Sequence, residues 1–303
     1  MIIDLTDTTT QQVQQALTQT RHRLGGPATG IVLTLIIATD ESSQYDAIRA
    51  ASQAGREHPS RVLGVIVRDS RARPRLDAEI RVGESTPGEV VLLRLYGPVG
   101  AHADSVVAPL LVPDTPVVTW WPGAPPDVPS GNPLGALAQR RVTDSAECPE
   151  PVNALGNLGA AFQPGDTDFA WTRATGWRSL LAAALDQPHE EITGGAVAAE
   201  AGNPTAVLLA AWLSLRLKVP ITNETSDGPG ITEVRLSSAT GEIAINRPDG
   251  RVAKFCQPGQ PDRTVALHRR DTTELLAEEL RRLDPDEVYA EVLAHFTLSG
   301  ALA

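Results

Sequence analysis

A continuous apolar stretch near the N-terminus constrains the fold most strongly. Residues 30–39 read Gly-Ile-Val-Leu-Thr-Leu-Ile-Ile-Ala-Thr and are apolar at nearly every position. A strand with one face in water alternates between apolar and polar residues, so this pattern predicts a strand that is buried on both faces. A predicted helix over Ser43–Glu57 and a predicted strand over Val62–Val67 follow it. This βαβ succession predicts a right-handed crossover and a mostly parallel sheet with flanking helices, which is an α/β fold.

The rest of the N-terminal part continues the alternation of helices and strands. The helix over Thr8–Leu24 begins with a possible capping box formed by Thr8 and Gln11. The period-two segment Leu76–Val82 predicts a strand nearer a sheet edge. The other predicted elements are strands over Glu89–Tyr96 and Pro116–Trp121, and helices over Val99–Leu111, Leu134–Arg140, Asn153–Phe162 and Phe169–Leu185.

The C-terminal part has a different pattern. Asn203 and Pro204 are a predicted N-cap and first-turn proline of a buried helix that runs to Leu217. From Thr232 to Arg269 the pattern has period two and is broken by turn residues, which predicts an antiparallel meander, and two helices close the chain. With a boundary at Gln187-Pro188, we predict a Rossmann-like α/β domain with connecting helices over residues 1–187 and a smaller α+β domain over 188–303.

Composition argues against several classes of function. The chain of 303 residues has a net charge of −11, which disfavours binding to nucleic acid or to anionic membranes. The longest apolar stretches, Ile31–Ala38 and Ala206–Leu215, are too short to span a bilayer. The first residues lack the basic region of a signal peptide, and the two cysteines have no C-x-x-C spacing. We therefore expect a cytoplasmic protein without a nucleic-acid or membrane partner.

One glycine-containing segment resembles a relaxed dinucleotide-binding fingerprint. Gly97-Pro-Val-Gly-Ala-His-Ala103 follows a predicted strand and opens a predicted helix. However, the next strand ends in Trp120-Trp121 where an acidic residue would bind the ribose, and Pro98 removes a loop amide. The alternative interpretation, which we favour, is a turn that lets the helix pack close to the sheet.

Other catalytic patterns are missing from the sequence. The six histidines form no H-E-x-x-H or other close metal-ligand spacing, and there is no G-x-S-x-G elbow. The segment Arg56-Glu-His-Pro-Ser-Arg61 could hold an anion or could satisfy backbone groups at a helix-to-strand connection. We therefore predict no catalytic residue, no cofactor and no metal site.

Two groups of tryptophan and arginine residues are the candidate partner interface. Trp120 and Trp121 end a strand, so one indole points to each face; either helices cover both faces, or one indole meets another surface. In the helix predicted over Phe169–Leu185, Phe169, Arg173 and Trp177 are spaced i, i+4 and i+8, and Arg173 can stack on Trp177. The alternative is a helix that anchors one domain on the other. Because Trp and Arg dominate interface hot spots, the candidate residues are Trp120, Trp121, Trp171, Arg173, Trp177 and Arg178.

Several segments together resemble one protein family over nearly the whole chain. These segments are Asp4–Thr10, Arg56–Arg61, His102–Val107, Pro113–Gly123, Gly165–Arg173 and Arg281–Tyr289. The chain resembles the glucose-6-phosphate dehydrogenase assembly protein (OpcA) family, and the match is weakest over Pro188–Asp262.

The resemblance implies a non-catalytic protein that binds glucose-6-phosphate dehydrogenase. It would act as an assembly factor or allosteric activator that supports the active oligomer in the oxidative pentose phosphate pathway and hence the supply of NADPH. Two alternatives stay open. One is a nucleotide- or sugar-phosphate-binding sensor or enzyme that uses the N-terminal sheet, near Gly97, Gly100 and the Trp120 loop; the other is a structural self-oligomer.

Overall fold

The computed structural model describes residues 1–24, 30–83 and 86–298. The chain divides into two compact units, each built from segments that are not contiguous in sequence. The first unit comprises Met1–Asp144, Gln163–Thr167 and Thr272–Pro285. The second unit comprises Ser145–Phe162, Asp168–Asp271 and the residues from Asp286 on. The predicted domain boundary at 187/188 stays a prediction.

The described residues form two sheets and a set of helices. The strands are β1 (Ile2–Leu5), β2 (Leu33–Thr39), β3 (Ser60–Val67), β4 (Arg75–Gly83), β5 (Thr86–Tyr96), β6 (Val117–Trp120), β7 (Arg140–Thr143), β8 (Asp166–Asp168), β9 (Ile192–Ala199), β10 (Ile221–Thr225), β11 (Ile231–Ser238), β12 (Gly241–Asn246), β13 (Val252–Cys256) and β14 (Arg263–Ala266). The helices are α1 (Thr10–Leu24), α2 (Gln44–Ala54), α3 (Ala103–Val107), α4 (Pro151–Ala160), α5 (Phe169–Arg173), α6 (Thr175–Leu185), α7 (Pro204–Leu217), α8 (Thr272–Arg281) and α9 (Glu287–Leu298). Among these helices, none is long and apolar enough to cross a membrane.

The sheet of the first unit is mostly parallel, as predicted. Within the described residues its strand order is β1-β4-β5-β3-β2-β6-β7-β8. The pairs β5–β3, β3–β2, β2–β6 and β6–β7 are parallel, whereas β4 pairs antiparallel with β1 and β5. Every residue from Leu33 to Ile37 is buried, which confirms the interpretation of the apolar run as a strand covered on both faces.

The second unit contains the predicted antiparallel meander. Its sheet has the order β10-β9-β11-β12-β13-β14, and each neighbouring pair from β9–β11 to β13–β14 is antiparallel. β9 and β10 form a parallel pair joined through α7, an addition that the sequence did not indicate. The Asn203 side chain accepts a hydrogen bond from the Ala206 N–H, 2.9 Å long, which confirms Asn203 as the N-cap of α7.

Four predicted helices differ from the observed structure. The capping box of α1 lies one residue later than predicted, because Thr9 and Gln12 exchange side-chain-to-amide hydrogen bonds. The helix predicted over Val99–Leu111 is broken into α3 and flanking 3₁₀ turns, each of which has a proline in its first two positions. The segment Leu134–Arg140 forms only a 3₁₀ turn before β7. The helix predicted over Phe169–Leu185 is divided at Ala174 into α5 and α6.

Candidate partner-binding site

Trp120 and Trp121 lie in the core of the first unit. Trp120 pairs with Ile37 on one side and with Val142 on the other. The Trp121 N–H donates to the Val142 carbonyl over 3.0 Å, so the hydrogen bonding between β6 and β7 extends one residue past the end of β6. The two side chains are 1% and 5% exposed, respectively. Of the two outcomes that strand alternation allowed, the chain adopts the one in which both indoles are covered.

The segment after β6 explains how Trp121 is buried. Gly135 lies so close to this indole that a Cβ atom at that position would be 3.1 Å from the Trp121 ring. The same Cβ would clash with the Pro129 carbonyl oxygen. The proline- and glycine-rich segment after Trp121 therefore folds back against its ring, which requires a residue without a side chain at Gly135.

In the second unit, Trp171 is held by three neighbours of different kinds. Its indole N–H donates to the Asp286 carboxylate over 2.9 Å, and its ring centroid lies 5.7 Å from that of Tyr289. The Arg178 guanidinium lies over the Trp171 ring, 3.6 Å from its centroid, and its Nη2 donates to Thr175 Oγ1 over 3.1 Å. This geometry is a cation–π stack between two residues seven positions apart, supported by a polar contact at each end.

The break between α5 and α6 produces this arrangement. Asp168 caps α5: its carboxylate accepts from the Ala170 N–H over 2.8 Å and from the Ser145 N–H over 2.9 Å. Because the two helices are not one continuous cylinder, the i, i+4, i+8 stack does not form as predicted. Arg173 instead lies over Phe169, 5.9 Å from the ring centroid, and Arg247 lies over Trp177, 4.9 Å from the ring centroid.

The six candidate residues are therefore distributed between the units. Trp120 and Trp121 belong to the first unit, and the other four belong to the second. All four tryptophans are buried, whereas Arg173 and Arg178 are half-buried. Their role as a partner interface stays a prediction. Arg247, which sequence reasoning did not single out, joins the group through Trp177; no spacing rule could have found a residue so far along the chain.

The glycines of the fingerprint-like segment have a packing role. A Cβ atom at Gly97 would lie 2.2 Å from the Ala72 carbonyl oxygen, and its φ of +60° favours glycine. A Cβ atom at Gly100 would lie 2.7 Å from a Val67 methyl group. The segment Gly97–His102 is a 3₁₀ turn, so the α-helix that a dinucleotide fingerprint opens does not begin at Gly97.

The position where a parallel sheet of this order would hold a dinucleotide carries a negative charge. In such folds the pyrophosphate lies at the start of the helix after the central strand, here between β2 and α2. Asp40 occupies this turn and accepts from the Ser43 N–H over 2.8 Å and from Ser42 Oγ over 2.7 Å. These hydrogen bonds, with Ser42 first, hold the pKa of Asp40 below its usual value, so the carboxylate is charged at neutral pH. A pyrophosphate would be repelled at this turn.

In the segment around His58, which could have held an anion, Arg61 forms an ion pair within the first unit. Arg61 is buried and donates through Nε to the Glu89 carboxylate over 2.8 Å, and Arg21 pairs with the same carboxylate. Arg61 is thus committed to a carboxylate inside the first unit, which it shares with Arg21. Among the described residues, no group of three His, Cys, Asp or Glu side chains is placed to hold a metal ion.

Comparison with known families gives two matches that follow each other along the chain. One family profile, which describes the N-terminal domain of a glucose-6-phosphate dehydrogenase subunit, matches residues 51–160. A second profile, which describes the C-terminal domain of the same kind of protein, matches residues 164–293. A search of curated proteins found no match.

Several solved structures are similar to this chain at low sequence identity. The 3-ketoreductase KijD10 from Actinomadura kijaniata is 12% identical with a TM-score of 0.49, over 88% of this chain and 96% of its own. An oxidoreductase from Sinorhizobium meliloti is 9% identical with a TM-score of 0.43, over 87% and 86% of the two chains. An inositol dehydrogenase homologue from Azotobacter vinelandii is 11% identical with a TM-score of 0.40, over 92% and 90%. Similarity at this level carries no information about activity.

Proposed function

This chain belongs to the glucose-6-phosphate dehydrogenase assembly protein (OpcA) family, and we propose that it is a non-catalytic factor that binds the dehydrogenase and supports its active oligomer. The observation that carries the proposal is the match of both family domains, in order, over most of the chain. In this role the protein would increase the flux of glucose 6-phosphate into the oxidative pentose phosphate pathway without itself reducing NADP.

The charge at the central turn of the first sheet supports a non-catalytic role. An enzyme that used this sheet for a nicotinamide cofactor would need uncharged, glycine-rich backbone where Asp40 stands. Gly97 and Gly100 are accounted for by close packing against Ala72 and Val67. These two observations favour the binding role over the alternative of a nucleotide- or sugar-phosphate-dependent enzyme or sensor at the N-terminal sheet.

Co-purification with activity measurement tests the proposal. A tagged full-length chain is expected to capture glucose-6-phosphate dehydrogenase from its native lysate. Mixing of the two purified proteins should raise the dehydrogenase rate and shift its oligomer to a larger mass by light scattering. The chain alone should not reduce NADP with glucose 6-phosphate. Reduction by the chain alone, or failure of two purified proteins to associate, would overturn the proposal.

For the contact itself we propose the candidate residues Trp120, Trp121, Trp171, Arg173, Trp177 and Arg178. Of these, the half-buried Arg173 and Arg178 would touch the dehydrogenase, and the buried tryptophans would support the fold of their own units. A series of variants can distinguish loss of folding free energy from loss of binding free energy at these positions. Removal of a core tryptophan costs about 3–5 kcal/mol of folding free energy. Loss of an interface hot spot costs roughly 2 kcal/mol or more of binding free energy and leaves folding nearly unchanged. Trp120→Ala and Trp177→Ala are expected to destabilise the chain, whereas Arg173→Ala and Arg178→Ala should weaken binding more than folding.

Chemical denaturation and titration with the purified dehydrogenase give the two free energies for each variant. Tyr45→Ala is the matched control, since Tyr45 is an aromatic residue on the exposed surface of the first unit. If the arginine variants lose binding only in proportion to their loss of stability, the contact lies elsewhere on the protein.

A further inference from the structure

A cavity of about 360 Å³ in the second unit has a charge opposite to that of the chain as a whole. It opens at the start of α7, and its walls include residues from α5, α6 and the ends of the meander strands. Four guanidinium groups line the cavity, against two carboxylates, Glu147 and Glu200; the guanidinium groups belong to Arg173, Arg247, Arg269 and Arg270. In a chain with a net charge of −11, such a concentration of arginine around a cavity of ligand size is a local reversal of sign.

Arg247 is the residue that distinguishes this cavity from an ordinary polar groove. Its side chain is only 4% exposed and lies over the Trp177 ring. Nη1 donates to the Leu267 carbonyl over 3.0 Å and Nη2 to the Ile231 carbonyl over 2.9 Å, whereas Nε is buried without an acceptor among the described residues. Carbonyl oxygens orient the guanidinium group but do not neutralise its charge.

The other buried arginines of the chain show what Arg247 lacks. Arg61 pairs with Glu89, Arg140 with Glu279, and Arg141 with Asp166. No carboxylate of the described residues forms an ion pair with Arg247. Burial first, and then the neighbouring Arg269, lower the pKa of Arg247, with Asp249 as a weaker opposing charge. Because burial of a cation without a counter-charge is costly, an anion from outside the chain would complete this site.

The backbone brings Arg247 and Arg269 to one place. Gly230, with a φ of +65°, lies between them: a Cβ atom there would be 3.7 Å from Arg247 Nη2 and 3.8 Å from Arg269 Nε. Both guanidinium groups therefore flank the same bare stretch of backbone and can donate to different oxygens of one anion. Bidentate donation to a phosphate group is the geometry that arginine favours.

The start of α7 adds a second source of positive potential. Asn203 accepts from the Ala206 amide through its side chain and from the Val207 amide through its carbonyl. Pro204 has no N–H, so the Thr205 amide is the donor that the first turn leaves for a ligand. The helix is 14 residues long, and its aligned peptide dipoles favour an anion at this end.

We propose that this cavity binds a small phosphate monoester, with its phosphate group between Arg247, Arg269 and the start of α7. Glu200 and Asn203, hydrogen-bonded to each other over 3.0 Å on the same wall, would accept from and donate to hydroxyl groups on the organic part. The two guanidinium groups of Arg247 and Arg269 beside Gly230 favour a dianion over the single carboxylate of an acidic side chain. The cavity shares Arg173 and Trp177 with the proposed contact to the dehydrogenase, but its ligand binding is assigned to the isolated chain and is tested without the dehydrogenase.

Isothermal titration of the full-length chain at constant ionic strength tests the site. The probes are inorganic phosphate and ribose 5-phosphate, with chloride and ribose as their controls. Saturable binding is expected for both phosphates, with mutual competition, and tighter binding of ribose 5-phosphate. No heat beyond dilution is expected for ribose or for chloride.

Two variants and one control locate the binding. Arg269→Gln removes one charge-assisted donor at an exposed position and should weaken phosphate binding roughly tenfold. Arg247→Gln should weaken it at least as much, and Arg269→Gln alone decides the matter if the buried variant does not fold. Arg251→Gln, an exposed arginine of the same unit outside the cavity, should bind as the unmodified chain does. Equal phosphate affinity of the Arg269→Gln and unmodified chains, or no saturable binding by the latter, would overturn the proposal.

Discussion

At the scale of single residues, the surroundings of Cys256 determine how readily its thiol reacts. Cys148 and Cys256 are both half-buried. Burial, followed by a hydrogen bond to Asp262, raises the pKa of the Cys256 thiol above its usual value. Asp262 also forms an ion pair of 2.6 Å with Lys254, whose positive charge opposes this shift of the pKa but is outweighed by burial and by Asp262. Cys256 is thus held as an unreactive thiol at neutral pH.

We predict that Cys256 is alkylated more slowly by iodoacetamide at pH 8 than a cysteine of a short peptide. The reason is the raised pKa, since the thiolate is the reacting form and its fraction falls as the pKa rises. Asp262→Asn removes the negative charge that opposes the thiolate and frees Lys254, so the rate should rise and the pH profile should move to lower pH. The rates are measured by mass spectrometry in a Cys148→Ser background, with Glu242→Gln as the control on a neighbouring strand. An unchanged profile for Asp262→Asn would contradict this account.

At the scale of elements, one buried ion pair joins the parallel strands β3 and β5. Arg61 and Glu89 are directly paired in the register of the two strands, and both are buried. Arg61 Nη1 also donates to the Leu110 carbonyl over 2.6 Å, so the pair ties the segment after α3 to the sheet. A pair of this kind contributes less by its attraction than it costs when one member is removed.

Glu89→Gln is therefore expected to lower the free energy of unfolding by about 3–5 kcal/mol. The substitution keeps the shape but leaves the Arg61 charge buried without a counter-charge. Urea denaturation followed by circular dichroism measures the loss. Asp46→Asn is the control, since the Asp46–Arg49 pair on α2 is exposed and should contribute less than about 1 kcal/mol. A loss for Glu89→Gln as small as that of the control would contradict this account of the buried ion pair.

At the scale of the whole molecule, the two compact units alternate along the chain. Each unit is built from three segments, and segments of the other unit lie between them in sequence. α8 belongs to the first unit, where Arg140 Nε donates to Glu279 over 3.2 Å and Arg281 pairs with Glu57. The second unit takes α4, α5 and α6 from before residue 187, and Trp177 and Leu181 of α6 lie in its core. The first unit thus includes a helix from near the end of the chain, and the second unit includes helices that precede residue 187.

Two fragments test this organisation against the predicted boundary at 187/188. The fragment 1–187 lacks α8 and leaves Arg140 without Glu279, while 188–303 lacks the tryptophan-bearing helices of its own core. Neither fragment is expected to unfold cooperatively, whereas the full chain should. Calorimetry of the two fragments and the full chain makes the comparison. A sharp, reversible transition for 188–303 alone would instead support the predicted boundary.

Local pattern determined much of the fold, and only the tertiary structure decided the sites. The apolar run of β2, the period-two meander and the Asn203 cap depend on residues close in sequence, so periodicity and capping chemistry were enough to predict them. The break at Ala174, the burial of both Trp120 and Trp121 and the stack of Arg247 on Trp177 depend on packing between segments far apart. The same holds for the phosphate cavity, since Gly230 and Arg269 meet Arg247 only through strand pairing. Charge and aromatic content can be counted from a sequence, but which charge remains buried without a partner is a property of the folded chain.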